Sequence, residues 1–280
     1  MLGEWHPIND NHAINVMAAV FSFAQPIPGL LLKKALTDSE QAAFAAGLRS
    51  RHSLRGMQFT LGTDGGAVGA TTPLIAGQMF NSLADAPEGA PASAQLAEQL
   101  VVQDAQIVYR TWRYVSWSWQ RERIKKLVVP ALDAVHDAVS IASQRLEYLD
   151  RFRFDGAPSN ADPSLLFKRD SAWIAHQVFS RSDLWHSHTG AFLPGGKGAK
   201  RLVQVHIDAV EEPISPEHGA PQARWINIMT AREDRFQGLD EGARSTDLML
   251  GLLDELHSEL KGVLGEVLTD SMARRIYLNP

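Results

Sequence analysis

Cysteine is absent from the 280-residue chain, and this absence limits the chemistry that the protein can perform. Without cysteine there is no disulfide framework, no cysteine-ligated zinc or iron–sulfur centre and no thiol nucleophile. The catalytic signatures GxSxG and HExxH are missing as well. Any chemistry must therefore use other side chains, and we expect no cofactor.

Long apolar runs are also missing. No stretch approaches the roughly 20 apolar residues that span a bilayer, so we expect no membrane partner. The first residues include Glu4, His6 and Asp10, where a secretory signal would need a basic start and an apolar core. We therefore expect a cytoplasmic protein. The formal net charge of -5 is mild and argues against a surface devoted to nucleic acid or anionic lipid.

Hydrophobic periodicity predicts two similar halves, 1–143 and 144–280, each with the element order β-α-β-β-β-α. In the first half the main predicted elements are a strand at Ile14–Phe23, a helix at Leu30–Leu48, one long strand or two at Leu96–Arg110, and a helix at Trp117–Ser140. In the second half they are strands at Leu146–Phe154, Trp173–Phe179, Leu184–Leu193, Leu202–Val210 and Trp225–Thr230, with helices at Pro163–Lys168 and Asp247–Val267. The predicted fold class is α+β, with mainly antiparallel sheets and helices packed on one face.

Several short segments together resemble a known family. They are Tyr109–Trp112 with the aromatic stretch after it, Leu146–Phe154, Leu202–Asp208, Leu256-His257, Leu268–Asp270 and Arg275–Leu278. The chain resembles a sporadically distributed family of bacterial proteins of roughly 250 residues whose function is uncharacterised, so the resemblance implies no activity. Family members often have Arg before the tyrosine of the second segment and Asn after it, whereas this chain has Glu147 and Asp150. The patchy distribution implies accessory genes, such as defence or toxin–antitoxin loci.

A pair of histidines, His186 and His188, suggests a metal site. On a strand the two side chains point to the same face, and an adjacent strand with His206 and Asp208 would complete a set of imidazole and carboxylate ligands. The alternative is that the histidines are structural or face solvent, because an HxH spacing alone is weak support for a ligand set. The predicted metal ligands are His186, His188 and His206.

A basic and aromatic run extends from Tyr109 to Lys126 and suggests a binding surface. Interleaved aromatic and basic side chains can stack on bases and neutralise phosphates, as in proteins that bind single-stranded nucleic acid. The alternative is that the tryptophans lie at the edge of the core while the basic residues form a solvated helix face. The predicted binding residues are Arg110, Trp112, Arg113, Trp117, Trp119 and Arg121.

Two further patterns have mainly structural interpretations. The spacing of Asp254 and His257 places an acid beside a histidine on a helix, which suits either acid–base chemistry or an exposed face. The glycine-rich segments Gly62–Gly69 and Gly195–Lys200 are predicted to be hairpin loops, with anion binding as the alternative.

The sequence contains many patterns that predict strands and helices, but no coherent set of catalytic residues. We therefore predict a non-enzymatic recognition or regulatory protein that binds a protein partner, such as an antitoxin-like or phage-defence accessory component. The alternatives are a nucleic-acid-binding protein that uses residues 109–126 and a metal-dependent hydrolase at His186, His188 and His206.

Overall fold

The computed structural model describes residues 3–57, 73–84, 96–195, 198–214, 220–236 and 245–278. The strands are β1 (Trp5–Pro7), β2 (Ile14–Phe23), β3 (Ser50–Met57), β4 (Pro73–Leu83), β5 (Leu96–Gln103), β6 (Gln106–Thr111), β7 (Ile141–Phe154), β8 (Trp185–Pro194), β9 (Lys200–Pro213) and β10 (Gln222–Arg235). The helices are α1 (Gly29–Ala45), α2 (Trp117–Asp133), α3 (Thr246–Val267) and α4 (Asp270–Arg275).

The ten strands of the described residues form one sheet, in the order β3-β4-β5-β6-β2-β7-β10-β9-β8, with the short β1 paired to β7. The pairings within it are antiparallel, which confirms the α+β class with a mainly antiparallel sheet. In both halves the first long strand, β2 or β7, lies at the centre beside the last strand of its own half, β6 or β10. The β2–β7 pair joins the halves into a continuous sheet, and the predicted boundary at 143/144 falls inside β7. The division into two domains stays a prediction.

Helices cover one face of this sheet. Along β7 the buried side chains alternate, as they do in a strand with one covered face. Leu146 and Tyr148 of this strand pack in a core with α1, α2 and α3, while Phe152 and Phe154 pack with α4 and the end of α3. The opposite face, which we call the open face, presents alternate residues such as Arg145, Glu147 and Arg151, and these remain partly exposed.

Local sequence explains where the helices begin. Ser116, Ser245 and Thr269 each cap a helix, because their hydroxyls accept a hydrogen bond from the backbone N–H three residues on. In α3 the leucines at 252, 256 and 260 continue a stripe that ends at Val263 and Val267 and faces the sheet. Across the described ranges, no helix combines the length and apolar composition needed to cross a membrane.

The second half differs from its prediction between β7 and β8. The predicted helix at Pro163–Lys168 is only a 3₁₀ turn at Pro163–Leu165, and the predicted strand at Trp173–Phe179 is irregular chain followed by a 3₁₀ turn at His176–Ser180. Pro163 has no N–H, and Asp162 caps the turn through the N–H of Ser164. Ile174 and Val178 are buried in the same core as Phe152 and Phe154, and the burial of this segment does not alternate. These two predictions were therefore wrong.

Other predictions about strands are confirmed. Leu96–Arg110 forms two strands, β5 and β6, which pair with each other. Strands β8 and β9 pair antiparallel up to Pro194 and Lys200, as expected if Gly195–Lys200 is a hairpin loop, and residues 196–197 of that segment lie outside the described residues. The segment Gly62–Gly69 lies outside the described residues.

Candidate functional site

A cavity of about 450 Å³ lies on the helix-covered side, where the central strands of the two halves meet. Its walls come from the segment before β2, the β6–α2 connection, strands β7 and β10, α3, and the residues after α4. The lining residues are Asn11, His12, Ala13, Ile14, Tyr114, Val115, Ser116, Trp117, Tyr148, Asp150, Thr230, His257, Leu260, Lys261, Leu264, Ile276, Tyr277 and Leu278. A cavity of this volume is within the range of pockets that hold small molecules or single side chains.

Asp150 of β7 is the unusual group in this cavity. It occupies a core-facing position of the strand, between Tyr148 and Phe152, and only 1% of its surface is exposed. On β2, the register against β7 shifts between Ile14 and Val16, so a bulge lies beside Asp150. Neither carboxylate oxygen accepts a hydrogen bond from any residue that the structure describes. Burial raises the pKa of Asp150 to about 7.

Four aromatic rings form a connected wall beside this carboxyl group. The Tyr148 hydroxyl and His257 Nδ1 share a hydrogen bond of 2.9 Å. The His257 ring stacks on Trp117, with centroids 4.4 Å apart and planes within 10°. Tyr114 meets Tyr148 edge to face, with a centroid separation of 5.9 Å. The wall extends to His12, whose ring lies 5.5 Å from that of Tyr114.

The ring side chains of this wall are uncharged near neutral pH. Burial, with a smaller effect of Lys261, lowers the pKa of His257 to about 4. Burial also lowers the pKa of His12. It raises the pKa of Tyr114 to about 12 and that of Tyr148 well above its usual range. Asp150 on the floor, with its pKa of about 7, is therefore the acid of the described lining that ionises near neutral pH, and Lys261 is a basic residue of the wall.

Asp254 holds part of the wall from outside. Its carboxylate accepts hydrogen bonds from Trp117 Nε1 at 2.8 Å and from Arg121 Nε at 2.8 Å. The acid–histidine pair considered for Asp254 and His257 does not form, since Asp254 bonds Trp117 and Arg121 while His257 bonds Tyr148. The i,i+3 spacing correctly placed both side chains on one side of α3. It could not show which partners the other elements would supply.

Two exposed side chains stand at the mouth of the cavity. Val115 is 63% exposed and Tyr277 is 70% exposed, although both are large apolar or aromatic residues. Tyr277 has a φ of 53°, in the left-handed region that non-glycine residues rarely occupy. The Leu278 N–H donates to the Ala273 carbonyl at 2.9 Å, and this turn after α4 holds Tyr277 in place. An entrant molecule would therefore meet apolar surface first.

The predicted binding residues of the basic and aromatic run occupy three different places. Trp117 is in the cavity wall, and Arg121 lies behind it on Asp254. Trp112, Arg113 and Trp119 line an adjacent groove of about 640 Å³. Arg110 alternates with the buried Tyr109 on β6 and belongs to the open face, where its guanidinium lies 5.9 Å from the Trp112 ring. The cavity and the groove share Tyr114 and Val115 in their linings, and the binding surface of the run stays a prediction.

The three predicted metal ligands do meet on the open face. Strands β8 and β9 pair so that His188 is opposite His206 and His186 is opposite Asp208. The rings of His188 and His206 stack at 4.4 Å, and His188 Nε2 lies 3.2 Å from Asp208 Oδ1. Within the described ranges, no group of three or more His, Asp or Glu side chains is arranged to hold a metal ion. None of these histidines lines the central cavity, and the metal site stays a prediction.

Sequence reasoning missed most of this cavity. One signal was available: the alternation of Leu146–Phe154 places Asp150 among apolar core positions, where an acid is rare unless paired. The convergence of His12, Tyr114 and His257 depends on contacts between distant segments. The chain matches no protein-family model and no curated protein sequence, so the resemblance to the bacterial family stays an expectation.

Proposed function

We propose that the protein is a non-enzymatic recognition protein that binds part of a partner molecule in the central cavity. The observation that carries this proposal is Asp150, a buried carboxyl group with both oxygens unbonded among the described residues, on the floor of an accessible cavity. Buried polar groups are nearly always hydrogen-bonded, and an exception beside a cavity is a reason to infer a missing ligand.

The lining favours binding over catalysis. The Tyr148 phenol is kept protonated by burial, and His257, with its pKa of about 4, is a weak base at neutral pH. No described hydroxyl or imidazole is hydrogen-bonded to Asp150, so no nucleophile of the described chain is paired with this carboxyl group. The arrangement of a rigid aromatic wall and one unbonded acid suits the selection of a ligand.

The proposal also includes a duplicated origin of the two halves and a protein as the partner. The matching places of β2 and β7, each beside the last strand of its half, support a diverged tandem duplication. The cavity lies at the junction of these halves, which is where a duplicated scaffold offers a surface that neither half has alone. We propose a protein partner, such as the component that an antitoxin-like or defence accessory protein would bind.

Blocking the cavity tests the proposal. Ligand-observed NMR would screen a mixed panel of small amines, guanidines, carboxylates and neutral amides against the wild type and Val115→Trp, in which an indole narrows the mouth. We expect at least one class to bind the wild type and to lose binding in the variant. Trp119→Ala is the control, because Trp119 is 39% exposed and lines the adjacent groove, which Val115 also lines, but not the cavity. Binding that is equal in all three proteins, or no binding by any class, would contradict the proposal.

The nucleic-acid and metal alternatives have separate tests. Fluorescence polarisation with single-stranded oligonucleotides at two salt concentrations tests residues 109–126, because phosphate contacts make affinity depend on salt. Elemental analysis of the purified protein and of His188→Ala tests the hydrolase alternative. No geometric observation on the described residues favours either over the cavity.

A further inference from the structure

We infer that the group bound in the central cavity is a guanidinium, carried by an arginine side chain or by a small alkylguanidine, with Asp150 as its hydrogen-bond acceptor. This inference rests on the proposed function and names the chemistry of the ligand. The state of Asp150, the composition of the walls and the charged groups of the cavity support it.

Both carboxylate oxygens of Asp150 are unbonded among the described residues, so the ligand should offer two donors to one acid. A guanidinium presents two parallel N–H groups at the spacing of the two oxygens of a carboxylate, and such bidentate pairs are among the stronger charge-assisted hydrogen bonds. An ammonium is a compact point charge without that fork, and a quaternary ammonium has no N–H at all. The two unbonded oxygens of Asp150 therefore favour a guanidinium over an ammonium ligand.

The walls suit the rest of such a group. A guanidinium is weakly hydrated and stacks on aromatic faces, which lowers the penalty of leaving water. The neutral rings of Tyr114, Tyr148 and Trp117 provide that surface around the acid. Leu260, Leu264 and Ile276 add apolar surface for the methylenes of an arginine or an alkyl chain.

The charged groups of the cavity agree with one bound cation. Ionised Asp150 provides the negative charge, while Lys261 of α3 is a partly exposed lining residue whose charge has the same sign as that of the proposed cation. A ligand that also has a carboxylate or a peptide carbonyl can place it near Lys261. An anion alone would have to approach the unpaired Asp150, which is unfavourable in a site of low dielectric.

Isothermal titration calorimetry with propylguanidine tests the inference, and propylurea is the matched probe because it has the same plane and size without the charge. We expect propylguanidine to bind the wild type and propylurea to bind at least about tenfold more weakly, since the ion pair with Asp150 is lost. Asp150→Asn should reduce propylguanidine affinity at least about tenfold and leave propylurea affinity within about twofold. Far-UV circular dichroism and thermal melting of the variant establish that it is folded.

Further probes separate the source of the guanidinium. A short peptide with one arginine and the same peptide with citrulline distinguish a protein partner from a free small molecule: tighter binding of the arginine peptide than of propylguanidine favours the protein source. Butylamine and tetramethylammonium are expected to bind more weakly than propylguanidine, in that order. An affinity for tetramethylammonium equal to that for propylguanidine would overturn the bidentate role of Asp150.

Failure of this inference is distinguishable from failure of the proposed function. If propylguanidine does not bind, but an amide or a carboxylate binds and is lost in Val115→Trp, the guanidinium inference falls and the recognition function stands. If no probe of any class is sensitive to Val115→Trp, both fall. Propylguanidine binding that is unchanged in Asp150→Asn also overturns the inference, because the contact would lie elsewhere.

Discussion

Asp150 and Asp234 are both buried aspartates on neighbouring strands of the sheet, β7 and β10, yet their surroundings differ completely. Only 1% of Asp150 and none of Asp234 is exposed. The two oxygens of Asp234 accept hydrogen bonds of 2.6 Å from Nε and Nη2 of Arg201. The same arginine also donates to Glu259, so Asp234 is part of an ion-pair network. Asp234 is therefore a buried acid whose charge is compensated within the fold.

The two acids therefore differ in how their burial is compensated. Burying a carboxylate is unfavourable unless a partner compensates it, and Arg201 provides that partner for Asp234. The hydrogen bonds that Arg201 donates to Asp234 in turn raise the pKa of Arg201. Asp150 has an equally buried position, a cavity in front of it and no bonded cation among the described residues. A bound cation would compensate Asp150 as Arg201 compensates Asp234, and mutations of the two acids should have opposite effects on stability.

The largest expected effect is the loss of Asp234. Asp234→Ala leaves the buried Arg201 without its main partner, and we expect the free energy of unfolding to fall by about 3–5 kcal/mol. Urea denaturation followed by circular dichroism measures this change. Asp137→Ala is the control, because that side chain is 92% exposed. A loss of less than about 1 kcal/mol would show that the Arg201–Asp234 pair contributes little.

Removal of the charge of Asp150 should stabilise the protein at alkaline pH. The pKa of Asp150 is raised from 3.8 to about 7, so between these values the folded state holds a proton that the unfolded state releases. The stability of the wild type therefore falls as pH rises through this window. At pH 8 we expect the free energy of unfolding of Asp150→Asn to exceed that of the wild type by up to about 4 kcal/mol. At pH 4 we expect no such difference.

Urea titrations of both proteins at pH 4, 6 and 8 measure that difference. Taking the difference removes the contribution of the other titrating groups, since they are shared. A variant that is less stable than the wild type at pH 8 would mean that Asp150 has a compensating partner. Asp150 would then resemble Asp234, as a buried acid that is compensated within the fold.

Ligand affinity should depend on pH through the same carboxyl group. A guanidinium binds the ionised form, so affinity should fall about tenfold between pH 8 and pH 6 if the pKa of the free protein is about 7. The other titratable groups of the lining are His12, Tyr114, Tyr148, His257 and Lys261. The pKa of His257 is about 4 and that of Tyr114 about 12, outside this window. Calorimetry in two buffers of different ionisation enthalpy would detect the released proton, and its absence would contradict the role of Asp150.

Much of the scaffold could be predicted from local pattern, and the cavity could not. The alternation in Leu146–Phe154 and the leucine stripe of α3 follow directly from the periods of strands and helices, and the β8–β9 hairpin follows from its glycines. The order of strands depends on which surfaces bury each other, and periodicity has no information about that. Trp117 and His257 stack because α2 and α3 pack side by side on the sheet, so their meeting is a property of the tertiary structure.

A third acid, Asp254, lies outside the cavity and would influence the ligand only by positioning Trp117. Its mutation should have the smallest effect of the three acids. Its carboxylate holds the Trp117 indole N–H and Arg121 from outside the cavity. Asp254→Ala should free the Trp117 ring, and we expect propylguanidine affinity to fall about threefold, with a change in unfolding free energy below about 1 kcal/mol. Asp254→Asn keeps an oxygen that accepts from the indole N–H while it loses the charge opposite Arg121. Recovery of affinity in Asp254→Asn identifies a positioning residue that acts through Trp117. Equal loss in both variants would mean that the ion pair with Arg121, and not the ring, supports the site.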